Sequence, residues 1–460
     1  MVEHDGGAHL KRGMGVIDAT AMLVGGIIGA GIFISVGAMA GLAGPALALA
    51  FLVASLPYVF ENLCNIQLGN VLPVAGSDWV AGTRGATPFW GSLVAPTAIF
   101  AGFMGLGLLG YGFGALLQPF FPQVPVQVWS VGIILLVGII NYLGVNITAK
   151  IQLILVIVFL LIPLLIFIFG GWSHMQPELQ TPLIPNGFVA FMIAAAIAAF
   201  SMVGFKFATG WGAEIKNPRR NIPITLICTF IIVLFLYMGV SWVLTGILPW
   251  QEAAESVLAV PDAAKTFLGD AGFIIMIIGG EAAIVTSILG VMMVATRYMT
   301  AMGRDLYLPV WFASIHPKFK TPHLSIIFWI VTAAIFSMIG FGIGQYAVLV
   351  VVNLMAVDII MSIGLFRVIN KMPELNAKAQ VKFSLFWRWV AMIGMIVMAS
   401  TMIVFGLMQN SLNPWLFFGW ILIGVIYYFI RRAYLKNRGI NMEQKMSEMP
   451  EEALKEIESA

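Results

Sequence analysis

Twelve apolar runs of membrane-crossing length leave this chain one class of fold. They lie at 15–41, 45–71, 89–117, 126–146, 149–170, 187–212, 222–247, 271–300, 323–341, 346–369, 386–408 and 412–434. A helix needs about 20 apolar residues to cross the hydrocarbon layer, and lipid offers an open backbone no partner. Of 460 residues, 60% are hydrophobic and 10% charged, more apolar surface than a soluble core can use. Proline and polar clusters separate the runs, as in FFPQVP (120–125) and QPELQTPLIPNG (176–187). An all-α membrane protein of about twelve spans follows.

Charge sets the expected orientation. Of 24 Lys and Arg, 22 fall in alternate connections or at the adjoining span ends, all but Lys206 and Lys265. Basic connections stay in the cytoplasm, so both termini are expected there, in an inner or plasma membrane. The N-terminus shows no signal-peptide cleavage pattern, so the first span is expected to be retained. Segment 1–14 reads as a cytoplasmic N-terminus, and 436–460, polar and charged, as a cytoplasmic tail. Cys64 and Cys228 sit in apolar runs and read as small buried hydrophobes, with no metal site indicated. A cluster as short as KNPRR (216–220) makes a poor nucleic-acid patch, and no such partner is expected.

Two runs carry glycines where a continuous helix would avoid them. GGIIGAGIF (25–33) has four glycines in seven residues, each costing a helix roughly 1 kcal/mol against alanine. Five spans later, AAFSMVGFKFATGWG (198–212) is interrupted at Gly204, Gly210 and Gly212, with Ser201 and Thr209 able to bond freed backbone groups. Interrupted helices at matching positions of two halves mark an inverted-repeat transporter with a site near the midplane. The open amides of a resumed half-helix favour an anion such as a carboxylate. Glycine also serves close helix packing in membranes, and that reading stays open for each cluster taken singly.

At this point the motifs resemble those of the amino acid–polyamine–organocation transporters. GGIIGAGIF resembles the family's first-span motif, and GAEIKNPRRNIP (212–223) its E-x-x-N-P-x-R-x-x-P close of span six. ATRYMTAMGRDLYLPVWFASIHPKFKTPH (295–323) is similar to its loop after span eight, and LPVAGSDWVAGTRG (72–85) to its segment after span two. The resemblance implies a transport core over 15–370, made of five-plus-five inverted repeats (about 15–170 and 187–370), with two extra helices at 386–435. It implies alternating access, with amino acids or their amines moved by proton symport or by exchange. It also implies that Ile27, Ile28, Gly29, Ala30 and Gly31 surround the substrate carboxylate. Ser201, Met202 and Val203, beside Gly204, would offer carbonyls to the ammonium, and Phe200 would lid the site. Met104, Gly105 and Leu108 of the third span are candidate cavity residues, though packing explains the glycine as well. Few anions near the breaks disfavour polyamines, and Ile, Phe, Met and Val suggest a small or apolar side chain.

Ionisable groups within spans are costly and usually functional. Asp18 reads as a charge at a helix start, whereas Glu61, Lys206, Glu281 and Asp358 lie deep. Many relatives carry an acid where Lys206 stands. Lys206 is expected to pair with Glu281 or Glu61, to titrate, or to attract a second anionic group of the substrate, which would favour acidic amino acids or other organic anions. Many proton-coupled relatives also carry a lysine mid-span five. Phe159 is expected at that place, with Lys150 at the helix start, and this weakens the usual proton mechanism. Thr286 and Ser287 are similar to paired hydroxyls that bind sodium in distant symporters, so proton, sodium and no coupling ion all stay open. Arg297, Arg304 and Asp305 read as charges closing the inner side against Glu214. Cofactors are otherwise not expected, and oligomeric state is not legible.

Two other classes make demands that the sequence does not meet. An ion channel would need symmetric copies or repeated polar rings, and an enzyme a convergent acid/base or nucleophile set. His174, His316 and His323 lie in connections and His4 and His9 in the N-terminal segment, so neither class is expected.

Overall fold

A computed structural model describes residues 14–71, 76–144, 153–210, 215–371, 373–377, 379 and 381–448. Among these every regular element is helical, and ten stretches are long and apolar enough to cross a bilayer. One of them, Val16–Val71, runs for 56 residues, about 80 Å at helical rise, far more than one crossing. It folds back at Gly44, whose φ is +62° and where a Cβ would lie 2.3 Å from Pro185 Cδ. Two spans result. Span 1 comprises Val16–Ile27, a π-helical turn Gly31–Ser35 and Val36–Ala43. Span 2 is Leu47–Val71. Counting the shorter apolar helix His323–Ser337 gives twelve.

The remaining spans are Pro88–Leu117 (span 3), Val126–Leu143 (4), Leu155–Trp172 (5), Gly187–Thr209 (6) and Pro218–Ile247 (7). Span 8 belongs to the 46-residue stretch Ala259–Arg304, which bends at Gly269, φ +65°. Its first part, 259–268, and the short helix Trp250–Glu255 were read from sequence simply as a connection. They are helices that cap one end of the bundle. His323–Ser337 is span 9, Ile343–Lys371 span 10, Leu385–Met408 span 11 and Asn413–Lys436 span 12.

Spans 1 and 6 lie five apart and so enter from opposite faces. Spans 1–5 and 6–10 form the two inverted halves of one all-α membrane fold, with spans 11 and 12 added outside it. Span 11 packs on spans 2 and 10, and span 12 on span 3, where Trp420 Nε1 donates to the Pro96 carbonyl at 2.7 Å. Leu136, Phe169, Ile231 and Trp415 point outward, as a lipid-facing belt requires.

Residues 1–13, 449–460, Lys150, Gly212 and Glu214 lie outside the described residues, so the expectations placed on them are not taken further. Asp18 accepts from the Gly15 amide at 3.0 Å, capping the start of span 1. Cys64 is buried, but Cys228 is exposed on the lipid-facing side of span 7, so only the first is a core residue.

Candidate functional site

Span 1 opens at Ile28. Its backbone turns extended (φ −78°, ψ 99°) after its amide bonds Val24, and helix resumes at Ala30 in a π-helical turn. The first amides after the break, those of 31–34, are those of a helix N-terminus. Span 6 tightens into a 3-10 turn over Ala199–Met202, turns extended at Val203 and resumes at Phe207. Gly204 is needed there, since its φ is +134° and a Cβ would meet Ile27 Cγ1 at 2.8 Å. The two breaks touch, because a Cβ on Gly31 would fall 2.0 Å from Ser201 Oγ.

The carbonyls freed by these breaks are met by hydroxyls from neighbouring spans. Tyr237 of span 7 donates to Ser201 O at 2.8 Å, with Ile27 O at 3.3 Å. Tyr58 of span 2 donates to Ala199 O at 2.6 Å. From span 8, Thr286 Oγ1 reaches Gly25 O at 2.9 Å, and Ser287 Oγ reaches Gly25 O and Gly26 O at 3.2 and 3.3 Å. Sequence reasoning missed both tyrosines. A lone phenol among the apolar residues of a span, as at Tyr237, was the available signal.

Beside the breaks lies a cavity of about 110 Å³. Ile27, Gly29, Ala30, Phe200, Val203, Lys206 and Ser287 line it as anticipated site residues. Ile28, Gly31, Ser201, Met202, Gly204 and Thr286 pack behind that surface. From span 3 the lining residues are Ala98, Ile99, Ala101, Gly102, Gly105 and Leu109; Met104 and Leu108 are turned into the protein interior and are 0% exposed. Gly105 thus lines the cavity as expected, Met104 does not, and Leu109 takes the place expected of Leu108, one helical position or about 100° of rotation away. The remaining walls are apolar apart from Tyr298, among them Val291, Trp329, Val350 and Leu354. The lining extends from the breaks along span 8 as far as Met302, two residues before that helix ends at Arg304. On the far side, Gly37 packs against the carbonyls of Ala253 and Ser256, where a Cβ would come within 2.5 Å of both.

Lys206 corrects a second expectation. Its Nζ lies 2.6 Å from Asp358 Oδ1 in span 10 and 3.9 Å from Asp78 Oδ2 beyond span 2. Asp78 also accepts from the Tyr298 hydroxyl of span 8. Neither Glu281 nor Glu61 makes the ion pair. Among the described residues both oxygens of Glu281 lack a hydrogen-bond partner, and Glu61 accepts from Asn65 Nδ2 at 3.3 Å. The pairing escaped the sequence because Asp358 is 152 residues away and Asp78 lies in a connection. The region is therefore richer in anions than the sequence suggested, although none of the three carboxylates lines the cavity.

Phe159 is also misplaced by the sequence reading. It is 38% exposed, and Val156 faces the span 1 break instead, its Cγ2 2.5 Å from where a Cβ on Gly25 would sit. Residues Leu155–Leu161 are π-helical, which shifts the register of span 5. Neither residue is the lysine of the proton-coupled relatives.

At the terminal side, Asp305 pairs with Arg84, Nη1 to Oδ2 at 2.5 Å and Nη2 to Oδ1 at 2.8 Å, and accepts from Trp79 Nε1 at 2.6 Å. Arg84 also donates to the Glu448 carbonyl at 2.8 Å. That carbonyl follows the tail helix Met442–Ser447, whose Met442 and Met446 are buried.

Two broken spans meeting beside an apolar cavity, in an inverted-repeat bundle, define a membrane transporter rather than an enzyme. Over residues 14–430 the chain matches the family model described as amino acid permease, and it belongs to that family. It is 29% identical over 458 residues to the methylthioribose transporter of Bacillus subtilis, covering 93% of this chain and 95% of the relative. To the branched-chain amino acid permease of the same organism it is 26% identical over 449 residues, covering 92% and 93%. The crystal structure of MhsT in complex with L-phenylalanine matches 86% of this chain and 100% of its own, with a TM-score of 0.62 and 15% identity. That last likeness is one of fold.

Proposed function

We propose that this protein carries an α-amino acid with an apolar side chain across the membrane by alternating access, coupled to a proton, with both termini cytoplasmic. The observation that carries this reading is the cavity itself. It has the amide-bearing break of span 1 and Phe200 of span 6 at one end and walls of Ile, Val, Leu, Met and Trp. The break favours a carboxylate, and the walls favour an aliphatic or aromatic group. The lining runs from the breaks along span 8 as far as Met302, near the C-terminal end of that helix, which supports a cavity reached from the face expected to carry the termini, one half of an alternating-access cycle.

Two alternatives have less support. An acidic substrate would need the charge of Lys206, which Asp358 already engages at 2.6 Å. Sodium would be held by Thr286, Ser287 and the carbonyls of Gly25 and Ile28, a neutral oxygen set that fits a hard cation in kind. Those hydroxyls bond the same carbonyls, so the oxygens have partners without an ion. Strict exchange without any coupling ion differs from symport in its response to an imposed gradient.

The test is counterflow in proteoliposomes with labelled leucine, methionine and phenylalanine, against glutamate, lysine and methylthioribose. Saturable counterflow of the apolar amino acids is expected. Methylthioribose or glutamate as the sole saturable substrate would overturn the reading.

A further inference from the structure

The three carboxylates around Lys206 leave a charge that the fold does not balance. Glu61 and Asp78 are 0% exposed, Asp358 1% and Lys206 8%. Among the described ion pairs, Lys206 is the one cation that meets them. Among the described residues, one oxygen of each acid has no hydrogen-bond partner: Glu61 Oε2, Asp78 Oδ1 and Asp358 Oδ2. With every group ionised, a buried cluster at membrane depth would hold two uncompensated negative charges, and isolated buried carboxylates neutralise rather than persist so.

Geometry distinguishes the three. Asp358 has the direct ion pair at 2.6 Å. Asp78 has the Tyr298 hydroxyl and the outer reach of Lys206. Among the described residues Glu61 has neither cation contact nor hydroxyl, only the Asn65 amide at 3.3 Å. We infer that Glu61 is the proton-binding group of this cluster, and that its proton is the one transported with the substrate, an inference that rests on the transporter reading above. The groups facing it are Tyr58 and Cys64 of its own span, Asp78 after it, Lys206 of span 6 and Asp358 of span 10, with Tyr298 of span 8 reaching the cluster through Asp78.

The cluster ties the proton to the transport cycle. Lys206 ends the non-helical linker of span 6 and lines the cavity, whereas Glu61 does not. With the proton on Glu61, the Lys206 ammonium is held by Asp358. When the Glu61 O–H bond breaks and the proton leaves through the cavity to water, a new carboxylate remains beside Lys206. It competes with Asp358 for the ammonium and so pulls on the broken segment of span 6. Protonation of one buried acid in span 2 thereby biases the conformation of the substrate site.

Two readouts test this. In nanodiscs, the infrared C=O band of a protonated carboxylic acid is expected in the wild type and reduced in Glu61→Gln; an unchanged band overturns the inference without reference to any substrate. In proteoliposomes, a one-unit pH gradient at one proton per substrate supports at most about tenfold accumulation, and a trapped pH dye should record proton entry with substrate. Glu61→Gln should abolish both gradient-driven accumulation and the dye signal. Retention of either, or accumulation driven by a sodium gradient without proton entry, overturns it. Glu61→Asp guards against a folding defect and should retain proton entry with a displaced pH profile; an unmoved profile counts against Glu61. Wild-type counterflow is a separate measurement, so failure of the transporter reading is distinguishable from failure of the proton site.

Discussion

The Tyr237 hydroxyl lies 2.8 Å from the Ser201 carbonyl oxygen, to which it donates, and 3.3 Å from the carbonyl oxygen of Ile27. One phenol in span 7 thus holds both broken spans at the level of the cavity. Ser201 O was expected to be open to a substrate ammonium. In this arrangement it is held by the protein, and the closing of the break is part of the site. Removing the hydroxyl leaves a buried acceptor unsatisfied, a cost of about 1–3 kcal/mol. Tyr237→Phe should therefore melt earlier than the wild type and bind substrate more weakly, while Tyr237→His, if its ring nitrogen reaches Ser201 O, should recover part of the loss. A melting curve and binding affinity unchanged in Tyr237→Phe would show that the bond does not hold the breaks.

Contact between the breaks makes Gly31 intolerant of any side chain. A Cβ there would fall 2.0 Å from Ser201 Oγ and 2.6 Å from Ser201 Cβ, so even Gly31→Ala must push span 1 away from span 6. Loss of substrate binding is expected for Gly31→Ala and for Gly31→Val. Because the obstruction is the serine side chain, the double variant Gly31→Ala, Ser201→Gly should bind better than Gly31→Ala alone. The rescue should be partial, since Ser201 Cα also stands 3.0 Å away. A scintillation-proximity binding assay on the three proteins reads this, and absence of rescue would place the defect elsewhere.

How much of this was visible in the sequence depends on the range of the interaction. Hydropathy displays the spans because each crosses the lipid by its own residues, and glycine displays the breaks because its cost to a helix is local. The partner of Lys206 is set by tertiary packing. Glu61, Glu281 and Asp358 all present as deep acids, and nothing in their own neighbourhoods says which faces span 6. Leu108 stood in for Leu109 because a helical position is defined only to about one residue until its neighbours fix the rotation, and Phe159 stood in for Val156. In span 5 a π-helical stretch moved the register further. The fold was legible, then, down to the level of elements, and the site down to the backbone of spans 1 and 6.

Arg84 and Asp305 join the connection after span 2 to the end of span 8, with side chains only 1% and 5% exposed. Removing one partner of such a pair leaves an uncompensated buried charge, at about 3–5 kcal/mol. Arg84→Ala should destabilise by that order, and Arg84→Ala with Asp305→Ala by less than the sum of the single changes. Arg84 also bonds the Glu448 carbonyl at 2.8 and 3.1 Å, so removal of residues 442–460 should raise hydrogen exchange across 81–92. Protection in that segment equal to the full-length chain would show that the tail helix contributes nothing to it.

Side-chain selectivity should be set where the cavity meets span 3. Gly105 lines it, and a Cβ there would meet Val350 Cγ2 alone, at an ordinary 3.6 Å. Substitution is therefore tolerated by the fold but occupies substrate space. Gly102 differs, because its Cβ would strike the Trp329 ring at 2.4 Å. In a cavity of about 110 Å³, the isopropyl group of Gly105→Val removes room for an aromatic ring before it removes room for a short aliphatic chain. Each methylene excluded from burial costs about 0.8 kcal/mol, so phenylalanine should lose at least tenfold in affinity relative to alanine or valine. Competition against labelled leucine counterflow measures the ratio. If Gly105→Val weakens all apolar amino acids equally, side chains are not read against span 3, and the cavity wall formed by Val291 and Val294 of span 8 becomes the place to look for the selectivity.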